Sequence, residues 1–295
     1  MLTLFPPIVL LLLSMATGLV NGCMRNSFSK NHARTQADLS AFTLISLALS
    51  LVLLVLLSEN FTFSPFTVGL GVVFGALTFA GALFGMKALS CGPMALTSIL
   101  CSAVAMMIPA LSGALFWQEQ ITLLRWIGMG LMLVMLPLTV KGDNGKPISW
   151  QWVLFCGLSC LSSGLIGILQ KVHQTSAYAK ELDGFLLVAF AFSVICNGVY
   201  LWIHCRKTPV ICSFSPRHRI FWMAVLVAVG IAIPNQFNLY RSGVMDSAVF
   251  FPLVNGGGLL LSLLAAIVLF KERPTRRQLL GMVIGFAAMM LLGMG

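Results

Sequence analysis

Apolar residues gather into ten long runs along the chain, near residues 4–23, 39–58, 64–87, 94–117, 121–140, 149–171, 184–204, 218–240, 246–270 and 276–294. Polar residues fill the gaps, which hold from a few to about 15 residues. Within a run the apolar positions are continuous and do not alternate at the two-residue period of a membrane strand. Each run approaches the roughly 20 residues that a helix needs to cross a hydrocarbon core of about 30 Å. A helix also pairs its own backbone N–H and C=O groups, which lipid cannot do. The pattern predicts an all-α polytopic membrane protein with ten transmembrane helices. No gap is long enough for a soluble catalytic or nucleic-acid-binding domain. The first run lacks a preceding Lys or Arg, so it reads as a membrane helix and not as a secretory signal.

The runs repeat. Val268–Gly285 reads VLFKERPTRRQLLGMVIG, and an echo lies 153 residues earlier at Leu115–Met132, LFWQEQITLLRWIGMGLM. Glu119 matches Glu272, Thr122 matches Thr275, Gly128 matches Gly281 and Met129 matches Met282. A spacing of about half the chain indicates a duplicated module. The polar segment Lys141–Pro147 is the natural boundary. The expected organisation is a five-helix repeat over 1–141, an inter-repeat loop over 142–148 and a second five-helix repeat over 149–295. Five is odd, so two such modules in series lie in opposite orientations, as two inverted repeats.

Composition agrees: 59% of residues are hydrophobic and 9% charged, against roughly 25% charged in a soluble domain. The net charge of +10 carries information about orientation and not about nucleic acid. Gaps after odd-numbered runs hold 14 Lys and Arg, and gaps after even-numbered runs hold four: Arg125, Lys171, Lys180 and Arg241. The positive-inside rule places the odd gaps in the cytoplasm and both termini outside. The eight Cys are scattered without a C-x-x-C, so they read as small packing residues and not as a metal site. No cofactor is expected.

Ten helices in two repeats, each closing with a Glu-x-x-Thr turn and a glycine-started helix, resemble the drug/metabolite transporter superfamily, EamA-type permeases. Glu119, Thr122, Gly128, Glu272, Thr275 and Gly281 carry the resemblance. It implies a secondary transporter of small metabolites or drugs in a bacterial cytoplasmic membrane, often an exporter. Two features depart from the family. Its members usually keep both termini in the cytoplasm. The small four-helix relatives carry a membrane-embedded Glu in their first helix, whereas the first run here has no acidic residue.

No Asp, Glu or Arg lies near the middle of a run, so the candidate site is neutral and polar. The eighth run ends in IPNQFNLYR, where Asn235 and Asn238 share a helix face, Gln236 lies between them and Pro234 frees a carbonyl. The ninth holds Pro252 and Gly256–Gly258, which make it easy to bend or break, with Asn255 in that gap and Phe251 beside it. Asn255 aligns with Ser102, and Asn21 offers a further amide from the first run. Unpaired amides cost about 1–3 kcal/mol in apolar surroundings, and an interhelical bond recovers about 0.6 kcal/mol on average. Asn235, Gln236, Asn238, Asn255, Asn21 and Ser102 therefore either line a water-accessible central cavity for a substrate or bond helix to helix. Phe251 would supply an apolar wall.

Lys87, Lys171 and Arg241 read as snorkelling anchors. Glu119 and Glu272 read as carboxylates at positive helix ends, or as gates. The expected partners are a small-molecule substrate, the lipid bilayer, and a coupling proton or exchanged metabolite, with the protein a monomer or homodimer. Two other readings stand beside transport. A lipid flippase or scaffold would use the same fold. An intramembrane serine protease finds only Ala110-Leu111-Ser112-Gly113, which lacks the first glycine of the expected serine motif.

Overall fold

The structure, a computed structural model, describes residues 7–91, 94–139, 148–204, 210, 212, 214–215, 217–268 and 274–294. Glu272, the Lys141–Pro147 segment, Arg206, Lys207 and the His204 side chain lie outside the described residues. Among those described, every regular element is helical. In chain order they are α1 (Pro7–Asn31), α2 (Gln36–Leu57), α3 (Pro65–Cys91), α4 (Met94–Phe116), α5 (Leu123–Thr139), α6 (Trp150–Gln174), a 3-10 turn (Ala179–Glu181), α7 (Leu182–His204), α8 (Arg219–Val244), α9 (Ser247–Val268) and α10 (Arg276–Met294). Eight of these, α2–α4 and α6–α10, are long and apolar enough to cross a membrane. The architecture is that of a multi-pass membrane protein. α5 is apolar but holds only 17 residues, which at 1.5 Å per residue is a little short of a full crossing.

The helix starts follow local chemistry. Thr35 caps α2 in a reciprocal box: Asp38 N–H donates to Thr35 Oγ1 and Thr35 N–H to Asp38 Oδ2, both at 3.1 Å. Ser64 precedes α3 and accepts from Thr67 N–H at 3.2 Å, and Pro65 fills the first helical position. The echoed threonines do the same work at the two helix starts. Thr122 Oγ1 accepts from Arg125 N–H (3.3 Å) at the start of α5, and Thr275 Oγ1 accepts from Gln278 N–H (3.3 Å) at the start of α10.

The expected gap in the ninth run is absent: α9 is a continuous helix through Pro252 and the glycines, so Asn255 sits within it. A broken helix would expose unpaired backbone groups in apolar surroundings, a cost that an unbroken one avoids. α8 likewise continues through Pro234 to Val244.

The chain folds as two compact units, one of Met1–Phe79 with His173–Tyr240, the other of Ala80–Val172 with Arg241–Gly295. Both draw on both halves of the sequence, and the divisions fall within α3, α6 and α8.

In the first unit α2 packs on α7, and α1 on α8, where Gly230 lets the backbones of Thr17 and Asn21 come close. The first G-x-x-x-G of α3 seats α7. A Cβ on Gly75 would strike the Ala189 carbonyl, and Ser193 Oγ donates to the Gly75 carbonyl at 3.0 Å. Phe28 and Phe42 stack at 3.9 Å between centroids near the other end of this unit.

In the second unit the other G-x-x-x-G of α3 seats α6, where Ser159 Oγ donates to the Gly81 carbonyl at 3.0 Å. The small-residue motif thus serves close packing, for which lipid offers no hydrophobic substitute. α5 and α10 lie antiparallel and pack reciprocally. A Cβ on Gly128, near the start of α5, would meet Leu292 Cγ at 2.9 Å near the end of α10; a Cβ on Gly281, near the start of α10, would meet Leu138 Cβ at 2.9 Å near the end of α5. Met129, Met132, Met135, Leu136, Ala288 and Leu292 fill the seam. Cys101 Sγ lies 3.2 Å from Cys160 Sγ, itself 3.9 Å from Cys156 Sγ. No group of described residues is arranged to hold a metal ion.

Candidate functional site

The most polar buried feature of the second unit is ionic. α4 ends at Phe116, and Glu119 N–H returns to the Gly113 carbonyl at 3.2 Å, with Gln118 in the left-handed region at φ 54°. This seven-residue closure ends the helix and turns the Glu119 side chain inward. A Cβ on Gly113 would run into the Glu119 carboxylate, so the glycine makes the turn fit. Glu119 Oε1 then lies 2.6 Å from Lys171 Nζ, the two side chains being 8% and 7% exposed. Glu119 Oε2 accepts from Ser247 N–H at 2.8 Å, and Oε1 from Ser247 Oγ at 3.3 Å. Lys171 Nζ also donates to the Met245 carbonyl at 3.0 Å. Beside this pair, Arg125 Nη1 bonds Asp246 Oδ2 at 2.7 Å, with side chains 17% and 46% exposed.

Two expectations change here. Lys171 is not a snorkelling anchor: its charge is buried and paired with the Glu119 carboxylate. Arg241 is buried as well, at 6% exposure. Lys87 keeps the expected exposed character, with its Nζ 5.4 Å from the Phe155 ring centre. Glu119 does sit at a positive helix end, but that end belongs to α9, through Ser247, and not to α5, which follows it in sequence.

The amides fall into two environments. In the first unit, Asn238 on α8 bonds α1, accepting from Ser14 Oγ at 2.8 Å, while Asn21 Nδ2 reaches the Gly230 carbonyl at 3.5 Å. The buried Asn21 Oδ1 has no hydrogen-bond partner among the described residues. Asn235 turns back on its own helix, donating to the Ile231 carbonyl at 2.8 Å, and Gln236 is 8% exposed. In the second unit, Asn255 behaves like Asn235, donating to the Phe251 carbonyl one turn back at 3.0 Å. Ser102 is half-buried on α4. Phe251 is packed, 5% exposed, with its ring against Gly167 of α6 and edge-on to Phe250 at 5.0 Å. Asn21 and Asn238 thus meet partners across α1 and α8, whereas among the described residues Asn235 and Asn255 make no bond to a neighbouring helix.

The first unit holds a second polar group that sequence reasoning missed. His173, on the last turn of α6, is 0% exposed, and its Nε2 lies 3.4 Å from Thr67 Oγ1 of α3. Glu181 accepts from Ser64 N–H at 2.9 Å and from Ser64 Oγ at 2.7 Å. A histidine near the edge of an apolar run reads as interfacial; only the packing of α3 and α7 over it makes it buried. The one available signal was the proximity of His173 to Lys171 at the end of an otherwise apolar run.

No family model matches the chain, and no curated protein matches it. A solved crystal structure, described only as that of a protein, matches over 97% of this chain and 98% of its own, with TM-score 0.72 and 15% identity. The likeness is one of fold: the chain shares its helical architecture, end to end, with a protein of known structure.

Proposed function

We propose that the protein is a secondary-active transporter built from two inverted five-helix repeats, moving a small polar metabolite or drug-like compound across the membrane by alternating access, and that it belongs with the EamA-type permeases of the drug/metabolite superfamily. The observation that carries this is the reciprocal packing of Gly128 and Gly281. The same sequence motif starts α5 and α10, and each motif glycine receives the far end of the other helix. Repeats related by inversion would produce that antiparallel exchange, and inverted repeats are a transporter architecture. Asn235 and Asn255, which among the described residues bond only their own helices, supply polar groups at membrane depth without holding helices together. The absence of fixed charge among the amides favours a neutral or zwitterionic compound.

Orientation follows the charges. Of the four cations in even-numbered gaps, Lys171 and Arg125 are in ion pairs and Arg241 is buried. What supports that side lying outside, with both termini there too, is the count itself, four Lys and Arg against 14 in the odd-numbered gaps. The setting implied by the family resemblance is a bacterial cytoplasmic membrane, with export the common direction.

The test is purified protein in liposomes, screened against amino acids, sugars, nucleosides and amines. Movement of a neutral or zwitterionic compound, lost in Asn235→Ala or Asn255→Ala, is expected. Movement of a strong organic ion alone, unaffected by both variants, would overturn the proposal. An enzymatic reporter fused after Gly295 should be active on the outer side.

A further inference from the structure

His173 has no part in the amide or ion-pair chemistry described above, yet it is the only histidine that the described residues bury completely. α3 presents Thr67 to it and α7 presents Phe185, whose ring centre is 4.5 Å from the imidazole. Among the described residues the charged group facing it is Glu181 of the 3-10 turn. Asp183 of α7 is engaged elsewhere, accepting from the N–H groups of Glu59 (3.1 Å) and Asn60 (3.3 Å).

The hydrogens of this group are ordered from the carboxylate outward. A carboxylate only accepts, so Ser64 Oγ gives its single proton to Glu181 Oε2 at 2.7 Å. Thr67 Oγ1, 3.0 Å from Ser64 Oγ and also bonded to the Glu181 side chain, then gives its own proton toward Ser64 or the carboxylate. With its proton used, Thr67 can only accept from His173, so Nε2 carries a hydrogen. Nδ1 is left to accept from Gln174 Nε2 at 3.1 Å. The result is a directed chain, His173 to Thr67 to Ser64 to Glu181, leading from a buried imidazole to a carboxylate in the turn between α6 and α7.

We infer that His173 is the carrier of a coupling proton, and that Thr67 and Ser64 relay that proton between it and Glu181. The inference rests on the transport reading for its purpose, and on the hydrogen-bond geometry for its place. Release is one shift: the imidazolium gives its Nε2 proton to Thr67 Oγ1, Thr67 gives its own to Ser64 Oγ, and Ser64 gives its own to Glu181 Oε2. His173 ends neutral with hydrogen on Nδ1, and Glu181 ends as the acid. The reverse shift loads the carrier. Gln174 can serve both states, because its amide offers a donor to a bare Nδ1 and, when turned over, an acceptor to a protonated one. Histidine suits the task because its imidazole takes up and gives back one proton with no other bond changing. In the proposed orientation Glu181 belongs to an outer, even-numbered gap.

Two measurements test this. In the first, the protein in nanodiscs is jumped from about pH 8 to about pH 3 in weak buffer, far enough to charge an imidazole shielded from water, and proton uptake is followed with an indicator dye. His173→Gln should take up one proton fewer per chain than wild type. Thr67→Val and Ser64→Ala should keep the amplitude but slow the His173-dependent phase by about tenfold or more. Equal uptake in wild type and His173→Gln, with circular dichroism showing both folded throughout, overturns the carrier; an unchanged rate in Thr67→Val overturns the relay. The second imposes a pH gradient on liposomes with the same panel of amino acids, sugars, nucleosides and amines. Gradient-driven accumulation, lost in His173→Gln, is expected, and gradient-independent accumulation overturns the coupling. Should nothing in the panel move, the transport reading fails while the uptake measurement still decides the proton site.

Discussion

Glu119 Oε1 and Lys171 Nζ lie 2.6 Å apart, both side chains nearly inaccessible, and the same carboxylate holds the first N–H of α9. A buried pair of this kind contributes little net stability, because desolvation offsets attraction, but removing one partner leaves an uncompensated charge and costs about 3–5 kcal/mol. Glu119→Gln and Lys171→Met should each lower the thermal midpoint in detergent substantially. The double variant should be more stable than either single one. Additive losses in the double variant would show that the charges are not coupled.

The α5–α10 seam gives a second test. Gly128→Leu and Gly281→Leu push a side chain into the facing helix, and overpacking of this kind costs about 1–3 kcal/mol or more. Gly130 has nothing within 4 Å of an added Cβ, so Gly130→Ala should be nearly neutral. Denaturation of the three variants in one detergent checks the ranking, and equal behaviour would contradict the packing.

The amides should separate stability from activity. Asn238 bonds Ser14 across helices, so a Ser14→Ala, Asn238→Ala double-mutant cycle should show coupling near the roughly 0.6 kcal/mol typical of such bonds. Asn235→Ala and Asn255→Ala remove only a bond to their own helix and should change stability by less than about 0.5 kcal/mol. Large unfolding effects for these two would return them to a structural role.

Cys212 lies between α7 and α8, with its N–H on Asp38 Oδ1 at 3.0 Å. Burial first, and the Asp38 carboxylate second, push its thiol above the ordinary range. The thiolate is the reactive form, so maleimide should label Cys212 slowly at pH 7 and faster only as pH rises beyond the usual midpoint of about 8.5. Asp38→Asn should quicken labelling at fixed pH. Labelling at the rate of a free thiol would contradict the burial.

Much of the fold was legible because membrane helices are specified locally. The expected runs and the observed helices share most of their boundaries, since the length of an apolar run and the capping chemistry of Thr35, Ser64, Thr122 and Thr275 act within a few residues. Proline was the misleading local signal. Pro234 and Pro252 suggested interruption, but the penalty for exposing backbone to lipid keeps α8 and α9 whole.

The site was less legible, because it depends on which distant segments meet. Glu119 and Lys171 are 52 residues apart and each stands at the edge of an apolar run, where a charge ordinarily points to water. Nothing in either segment names the other. The same holds for His173 and Thr67, brought together by the fit of α3 against α6.

By itself the sequence determined that the chain is a helical membrane protein, where its helices begin, and that a motif recurs around Gly128 and Gly281, because hydrophobicity, capping and repetition are written in contiguous residues. Only the tertiary structure decided that those glycines face each other's helices, that Lys171 is paired and not snorkelling, and that His173 is buried at the head of a hydroxyl chain. Charge and hydrogen-bond partners are properties of the environment, and helices make that environment only once they pack.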